Sequence, residues 1–133
     1  MSEDEDRKLR PTGLRLRRGS RLLEISYADG RVVELGWEFL RVHSPSAEVR
    51  GHHASQAVLQ TGKRKVAITD LKPVGHYALQ IIFDDGHDSG LYSWEYLDHL
   101  GRNRDELWEA YLDELSRQGG NRDPDTQVLK FQP

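Results

Sequence analysis

The sequence predicts an α+β domain: a small, mainly antiparallel β-sheet fold made of two hairpin-plus-short-helix halves and finished by a C-terminal helix. Three observations carry that expectation. Two stretches, ISYADGRVVELGWEFL from Ile25 and IIFDDGHDSGLYSWEYL from Ile81, share a β-rich run, Asp-Gly, a second run and Trp-Glu-aromatic-Leu, which reads as an internal repeat. Alternating residues lead into each Asp-Gly, the period-two signature of half-buried strands. Between Asn103 and Gly119 the apolar residues recur instead at helical spacing.

In the first half, strands are expected near 14–17, 21–28 and 31–35. Leu14 and Leu16 share one face, and Leu23, Ile25 and Tyr27 share another. Asp29-Gly30 between them predicts a type I′ hairpin turn, with positive φ at both central residues. Trp37, Phe39 and Leu40 follow Gly36 as a short helix. In the second half the expected strands run from Val66 to Val74, from Tyr77 to Phe83 and near 88–92, with the turn at Asp85-Gly86. Ser93 then caps a helix bearing Trp94, Tyr96 and Leu97, which Gly101 should end. Asp29 and Asp85 lie 56 residues apart and Trp37 and Trp94 lie 57 apart, so the second copy holds one extra residue. A two-stranded ribbon is marginal alone, and two halves can bury each other's apolar faces in one sheet and one core. The last helix has Asn103 as N-cap, Glu106 placed for a capping box, an apolar stripe of Leu107, Trp108, Tyr111, Leu112 and Leu115, and Gly119-Gly120 as its stop.

The folded unit is expected over 13–118. The charged residues 1–12 read as a disordered tail and 119–133 as a flexible one, in which Gly-Gly and Asp-Pro forbid helix and Val128, Leu129 and Phe131 form a late apolar group. The chain has 133 residues, no cysteine, 19 basic against 22 acidic residues and a net charge of −3. Without cysteine there is neither a disulfide framework nor a thiolate site. No apolar run approaches the roughly 20 residues of a membrane helix, and the first residues lack a signal peptide's apolar stretch. The charge balance speaks against nucleic acid as a partner. A cytoplasmic protein is the expectation.

Chemistry would have to come from the central segment RVHSPSAEVRGHHASQAVLQTGKRK and from DDGHDSG. Loops of such length within a small domain are commonly functional or mobile. Ser44-Pro45 reads as an N-cap with proline at N1, opening a turn of helix that Gly51 ends. Six histidines are many for this length. His87, His52 and His43 are the metal candidates, with Asp84, Asp85 and Asp88 as oxygen donors, a set suited to zinc or iron. No spacing among them matches a defined site. Ser44 and Ser46 lack a nucleophile elbow. TGKRK is not a phosphate loop, since Ala57 and Arg64 stand where glycine and Ser or Thr are required. No catalytic constellation is visible.

LRVHSPSAEVRGH, QTGKRKV and FDDGHDSGLYSWEYL together resemble a small bacterial family related to the N-terminal domain of gamma-butyrobetaine hydroxylase, over about residues 14–117. The resemblance implies a compact β-rich domain that occurs alone, fused to oxygenases, or appended to iron–sulfur cluster carrier ATPases. In the hydroxylase this domain holds a structural zinc through Cys-x-Cys-x-x-Cys and a histidine. Carried over, the cysteines fall at Ser44, Ser46 and Val49 and the histidine at His87, so three of the four ligands are missing. The length also leaves no room for an oxygenase domain.

The expected function is therefore a non-enzymatic binding or accessory module that docks a protein partner, with a link to iron or iron–sulfur metabolism. Arg41, Glu48, Arg50, His52, Asp85 and His87 are expected to line the contact surface, and Arg50 offers a bidentate fork to a carboxylate. The alternatives are a zinc- or iron-binding protein using His87 and the loop histidines, and an enzyme acting on a small molecule in the cleft between the halves.

Overall fold

The computed structural model describes residues 9–51 and 57–124. Strands β1 (Gly13–Arg17), β2 (Leu22–Ser26) and β3 (Val32–Gly36) form one antiparallel meander, and β4 (Ile68–Val74), β5 (Ala78–Phe83) and β6 (Leu91–Ser93) form a second. Helix α1 (Trp37–Val42) follows the first, α3 (Trp94–Arg102) follows the second, and α2 (Ala47–Arg50) lies between. Helix α4 (Arg104–Gln118) completes the α+β fold. The halves thus share one core and not one sheet. A single buried cluster takes Leu23, Ile25 and Leu35 from the first meander, Leu79, Ile81 and Tyr92 from the second, and Leu40, Leu97 and Leu100 from the helices.

The register explains which residues turn inward. Leu14 pairs with Ile25 and Leu16 with Leu23, so the two sets expected on separate faces lie on the same one. Leu23 pairs with Leu35 and Leu79 with Tyr92, matching positions in the two halves. In each half the helix is tied to the start of the middle strand, through Trp37 N–H to Arg21 C=O and Trp94 N–H to Tyr77 C=O, both at 3.1 Å. In the second half β4 begins at Ile68 and not at Val66, with a bulge between Ile68 and Asp70, and β6 begins only at Leu91.

Several boundary signals act differently from their usual meaning. Ser93 caps α3 as expected, its Oγ accepting from Tyr96 N–H. Gly101 does not end that helix, which continues to Arg102. A Cβ there would lie 2.9 Å from Val33 Cγ1, so the glycine lets α3 sit close against β3. Asn103 gives α4 no side-chain cap and no capping box forms; its amide instead donates to His99 C=O at 2.9 Å, closing α3. Gly119 does stop α4, in the left-handed conformation at φ 67°. In the stripe of α4, Tyr111 and Leu115 are buried while Leu112 is exposed.

The packed body also runs past 118. Asn121 and Arg122 carbonyls accept from Gly62 and Arg64 N–H, and Arg122 forks onto Glu38 at 2.9 and 2.7 Å. Val128, Leu129 and Phe131 lie outside the described residues. Among the described residues no helix is long and apolar enough to cross a membrane.

The glycine contact gives a test. Gly101→Ala is expected to lose about 1–2 kcal/mol, because overpacking against stiff Val33 outweighs the gain in helix propensity. In a double-mutant cycle by urea denaturation, Val33→Ala should suppress that loss. A gain of about 1 kcal/mol, usual for a helical glycine, would show that the contact is loose.

Candidate functional site

Both Asp-Gly turns share a backbone plan, and it is not type I′. Gly30 N–H donates to Tyr27 C=O and Tyr27 N–H to Arg31 C=O, while Gly86 N–H donates to Phe83 C=O and Phe83 N–H to His87 C=O. Only the glycines take positive φ, 91° and 88°, and the aspartates do not. This is a turn followed by a glycine bulge. The aspartate faces forward, Asp29 Oδ1 accepting from Arg31 N–H and Asp85 Oδ1 from His87 N–H.

Arg31 and His87 therefore follow the two turns at the same place, and their surroundings differ. In the first half the β2–β3 ladder runs down to Ser26 opposite Val32. In the second the ladder stops at Gln80 opposite Leu91, leaving 87–90 out of the strand. Arg31 lies over the Tyr27 ring, with its guanidinium carbon 4.4 Å from the centroid. His87 turns inward and is only 6% exposed.

Around His87 the central segment folds into a polar network. Ser44 Oγ lies 2.7 Å from His87 Nε2, and Glu48 Oε2 lies 3.3 Å from Nδ1. Glu48 can only accept, which assigns the ring proton to Nδ1 and makes Nε2 the acceptor of the Ser44 hydroxyl. Burial, aided by the Arg41 charge, holds the His87 pKa below its ordinary 6.5 against the pull of Glu48 and Asp85, so the imidazole is neutral and its contact with Glu48 is a hydrogen bond more than an ion pair. Ser46 Oγ pairs with Ser89 Oγ at 2.7 Å and also caps α2. The expected cap, Ser44, is instead spent on His87. Gly90 permits this approach, since a Cβ there would lie 2.5 Å from Ser44 Oγ.

Asp85 anchors the other side. Its Oδ2 accepts from Arg41 Nε at 2.9 Å and Lys63 Nζ at 2.8 Å, and Arg41 Nη1 reaches Gln60 Oε1 at 3.0 Å. Burial opposes ionisation here, but Lys63, the His87 N–H and Arg41 together hold the carboxyl below its usual range. The basic cluster is thus divided, Lys63 facing Asp85 and Arg64 pairing with Asp123 at 2.7 Å.

Of the expected contact residues, Arg41, Glu48, Asp85 and His87 converge. Arg50 is exposed nearby, its guanidinium carbon 5.7 Å from the Tyr96 ring centroid. His52 lies outside the described residues. His43 stands apart: its Nδ1 donates to Phe39 C=O at 2.9 Å and its ring packs on Phe39 with centroids 4.5 Å apart. Asp84 is taken up by Ala67 N–H. Among the described residues no three His, Cys, Asp or Glu are arranged to hold a metal ion. Of the four positions carried over from the hydroxylase zinc site, Ser44, Ser46 and His87 join one network and Val49 is a buried apolar residue, so they provide one imidazole, two hydroxyls already hydrogen-bonded and an alkyl group. That donor set does not fit zinc.

The alignment of Ser44, His87 and Glu48 was not visible from spacing. It follows the hydroxyl–imidazole–carboxylate order of a hydrolytic triad. Access separates it from one: Ser44 is 0% exposed, and its Oγ also accepts Ser46 N–H at 3.2 Å. A nucleophile must reach a substrate carbonyl, and this oxygen faces protein. The signal that could have paired 44 with 87 was the zinc arrangement of the resembling domain, which requires those positions to be neighbours.

A neutral buried histidine makes stability depend on pH with a definite sign. With the folded pKa lowered, the unfolded chain takes up a proton that the folded chain refuses. Stability from His87 is full above about pH 6.5 and is lost as pH falls through the lowered folded value. His43, also lowered mainly by burial, acts in the same direction. Urea midpoints should therefore drop between about pH 7.5 and pH 5.5, by no more than about 1.4 kcal/mol per pH unit for each proton. His87→Gln should flatten the slope. An unchanged slope would show that His87 does not titrate on unfolding.

Comparison with known proteins matches this architecture. A solution NMR structure is 47% identical with a TM-score of 0.75, covering 92% of this chain and 97% of its own. A second is 48% identical with the same TM-score and 93% coverage of both chains. A crystal structure of a protein of unknown function from Acidithiobacillus ferrooxidans, of the DUF971 family, is 38% identical with a TM-score of 0.60, covering 71% of this chain and 94% of its own. No curated protein matches the chain. The family model described as gamma-butyrobetaine hydroxylase-like, N-terminal matches residues 14–98, which take in both meanders, α1, α2 and the polar network, and the chain belongs to that family.

Proposed function

We propose that the chain is a non-enzymatic binding module that receives a segment of a protein partner beside the His87 network. A groove of about 490 Å³ opens there, with Val42, Val49, Val58, Leu59 and Tyr111 as apolar wall and Arg50 and Glu114 as charged members. The observation that carries this reading is the contrast across the network. Ser44, His87, Arg41 and Asp85 satisfy one another inside, while Arg50 at the groove pairs with no carboxylate among the described residues. Val58 is also 55% exposed. An apolar pocket rimmed by a guanidinium with no carboxylate partner among the described residues suits a segment that presents an apolar side chain next to a carboxylate.

A photo-crosslinker at Val58 in the native host tests this. One protein should be crosslinked, and its yield should fall roughly tenfold or more with Arg50→Glu, in keeping with the cost of losing a charged hydrogen bond. Equal yields from both forms would overturn the reading. A cytoplasmic setting agrees with the lack of cysteine, and the link to iron or iron–sulfur metabolism rests on the resemblance alone. For the zinc or iron alternative, elemental analysis of tag-free protein is decisive: less than about a tenth of an equivalent rules out a tight structural site.

A further inference from the structure

The two halves differ at one more place. In the second half the Trp94 indole N–H donates to His76 C=O at 2.8 Å. In the first half Ser20 holds the place of His76, yet the indole N–H of Trp37, a residue only 3% exposed, has no acceptor among the described residues. Beside it Arg21 takes φ 57°, the only described non-glycine residue at positive φ, where its counterpart Tyr77 does not. Glycine would adopt that conformation at no cost. Here an arginine does, and its guanidinium lies over the Trp37 ring at 5.1 Å. Backbone strain of this kind is retained where a side chain is needed in one place.

Trp37 and Arg21 belong to the wall of a cavity of about 340 Å³ that shares no lining residue with the groove above. Arg64, Arg104, Arg122 and Trp108 complete the part that matters. Four arginines line it against Glu38 and Asp105, and Asp123 pairs with Arg64 from outside the wall, which leaves an excess of +1 in a chain of net charge −3. Both Glu38 oxygens are taken by Arg122. The arginines are held by few contacts: Arg21 to Val66 C=O, Arg64 to Asp123, Arg104 to Glu34 C=O and Asp105, and Arg122 to Glu38. Each guanidinium has five donors, so most stay without a partner among the described residues. The wall is rich in donors and poor in acceptors.

We propose that this cavity binds a small polyvalent oxyanion, whose phosphate or carboxylate groups are gripped by the N–H groups of Arg21, Arg64 and Arg104 that no described acceptor holds, next to the Trp37 indole, while Arg122 stays forked on Glu38. Arginine forks match both groups in geometry and charge. The volume lies at the small end of ligand sites, which suits a compact anion.

The test uses the full chain with pyrophosphate and citrate as separate probes, read by the NMR signal of the Trp37 indole N–H. A saturable shift with a dissociation constant below about 1 mM is expected, the Trp94 indole staying still. Arg64→Gln and Arg104→Gln, both about half exposed and so tolerable to the fold, should each weaken binding roughly tenfold or more. Response to pyrophosphate alone assigns phosphate, response to citrate alone assigns carboxylate, and response to both assigns the shared chemistry. No saturable shift with either probe overturns the proposal. So does equal affinity in the variants, which would mark general attraction to surface charge.

Discussion

Asp85→Ala is expected to cost about 3 kcal/mol of folding stability, the low end for removing one partner from a buried ion pair, because Arg41 is buried and Asp85 only partly so. The Arg41 side chain is only 8% exposed, and Asp85 is its one carboxylate partner among the described residues. The substitution leaves that guanidinium buried with Gln60 as its remaining side-chain acceptor among the described residues. It also removes the acceptor of the His87 N–H, which fixes the turn, and the partner of Lys63. Asp85→Asn keeps an oxygen for the turn but not the charge, so an intermediate loss of about 1.5 kcal/mol should follow. Adding Arg41→Met to Asp85→Ala should recover stability, because no orphaned charge is then left inside. Denaturation at neutral pH reads all three. A loss below about 1 kcal/mol for Asp85→Ala would place the pair among ordinary surface contacts.

The same residues show what could be read from the chain and what could not. Asp-Gly, the alternation around it and the Trp-led helices were legible because they act locally, through φ preference and period. Both halves, their order and the C-terminal helix follow from such signals. The inward turn of His87 was half legible: the extra residue could be counted, but only strand register shows that the ladder ends at Leu91. Arg41, Glu48, Asp85 and His87 were grouped from their types, whereas Lys63 and Gln60 join them through contacts across 22 and 19 residues of sequence separation. Gly101 and Gly90 were illegible for another reason. A glycine that stops a helix and one that makes room for a neighbour are the same letter, and Val33 and Ser44 decide the matter from elsewhere in the chain. Asn103 fails as a cap because α3 ends so close to α4 that its amide is drawn to His99 C=O.

Tyr92→Ala is expected to lose about 3–5 kcal/mol, the range for deleting a buried aromatic ring. Tyr92 is 0% exposed and holds in the second half the place that Leu35 holds in the first. The exchange of leucine for tyrosine adds a hydroxyl, which donates to Leu40 C=O in α1. One side chain of β6 thereby ties the second meander to the helix of the first half, directly beside Gly90 and Ser44. Burial raises the phenol pKa far above its ordinary value, so the group stays a donor at any pH at which the protein folds. Tyr92→Phe keeps the ring and removes only that bond, leaving the Leu40 carbonyl unsatisfied for about 1–3 kcal/mol. Leu35→Ala, at the matching place, should cost about 2–5 kcal/mol through the cavity alone. If Tyr92→Phe is silent in denaturation while Tyr92→Ala is severe, the ring fills space and the hydroxyl does not join the halves. If Tyr92→Phe also broadens the amide signals of Leu40 to His43, the hydroxyl positions α1, and with it Arg41 at the start of the network.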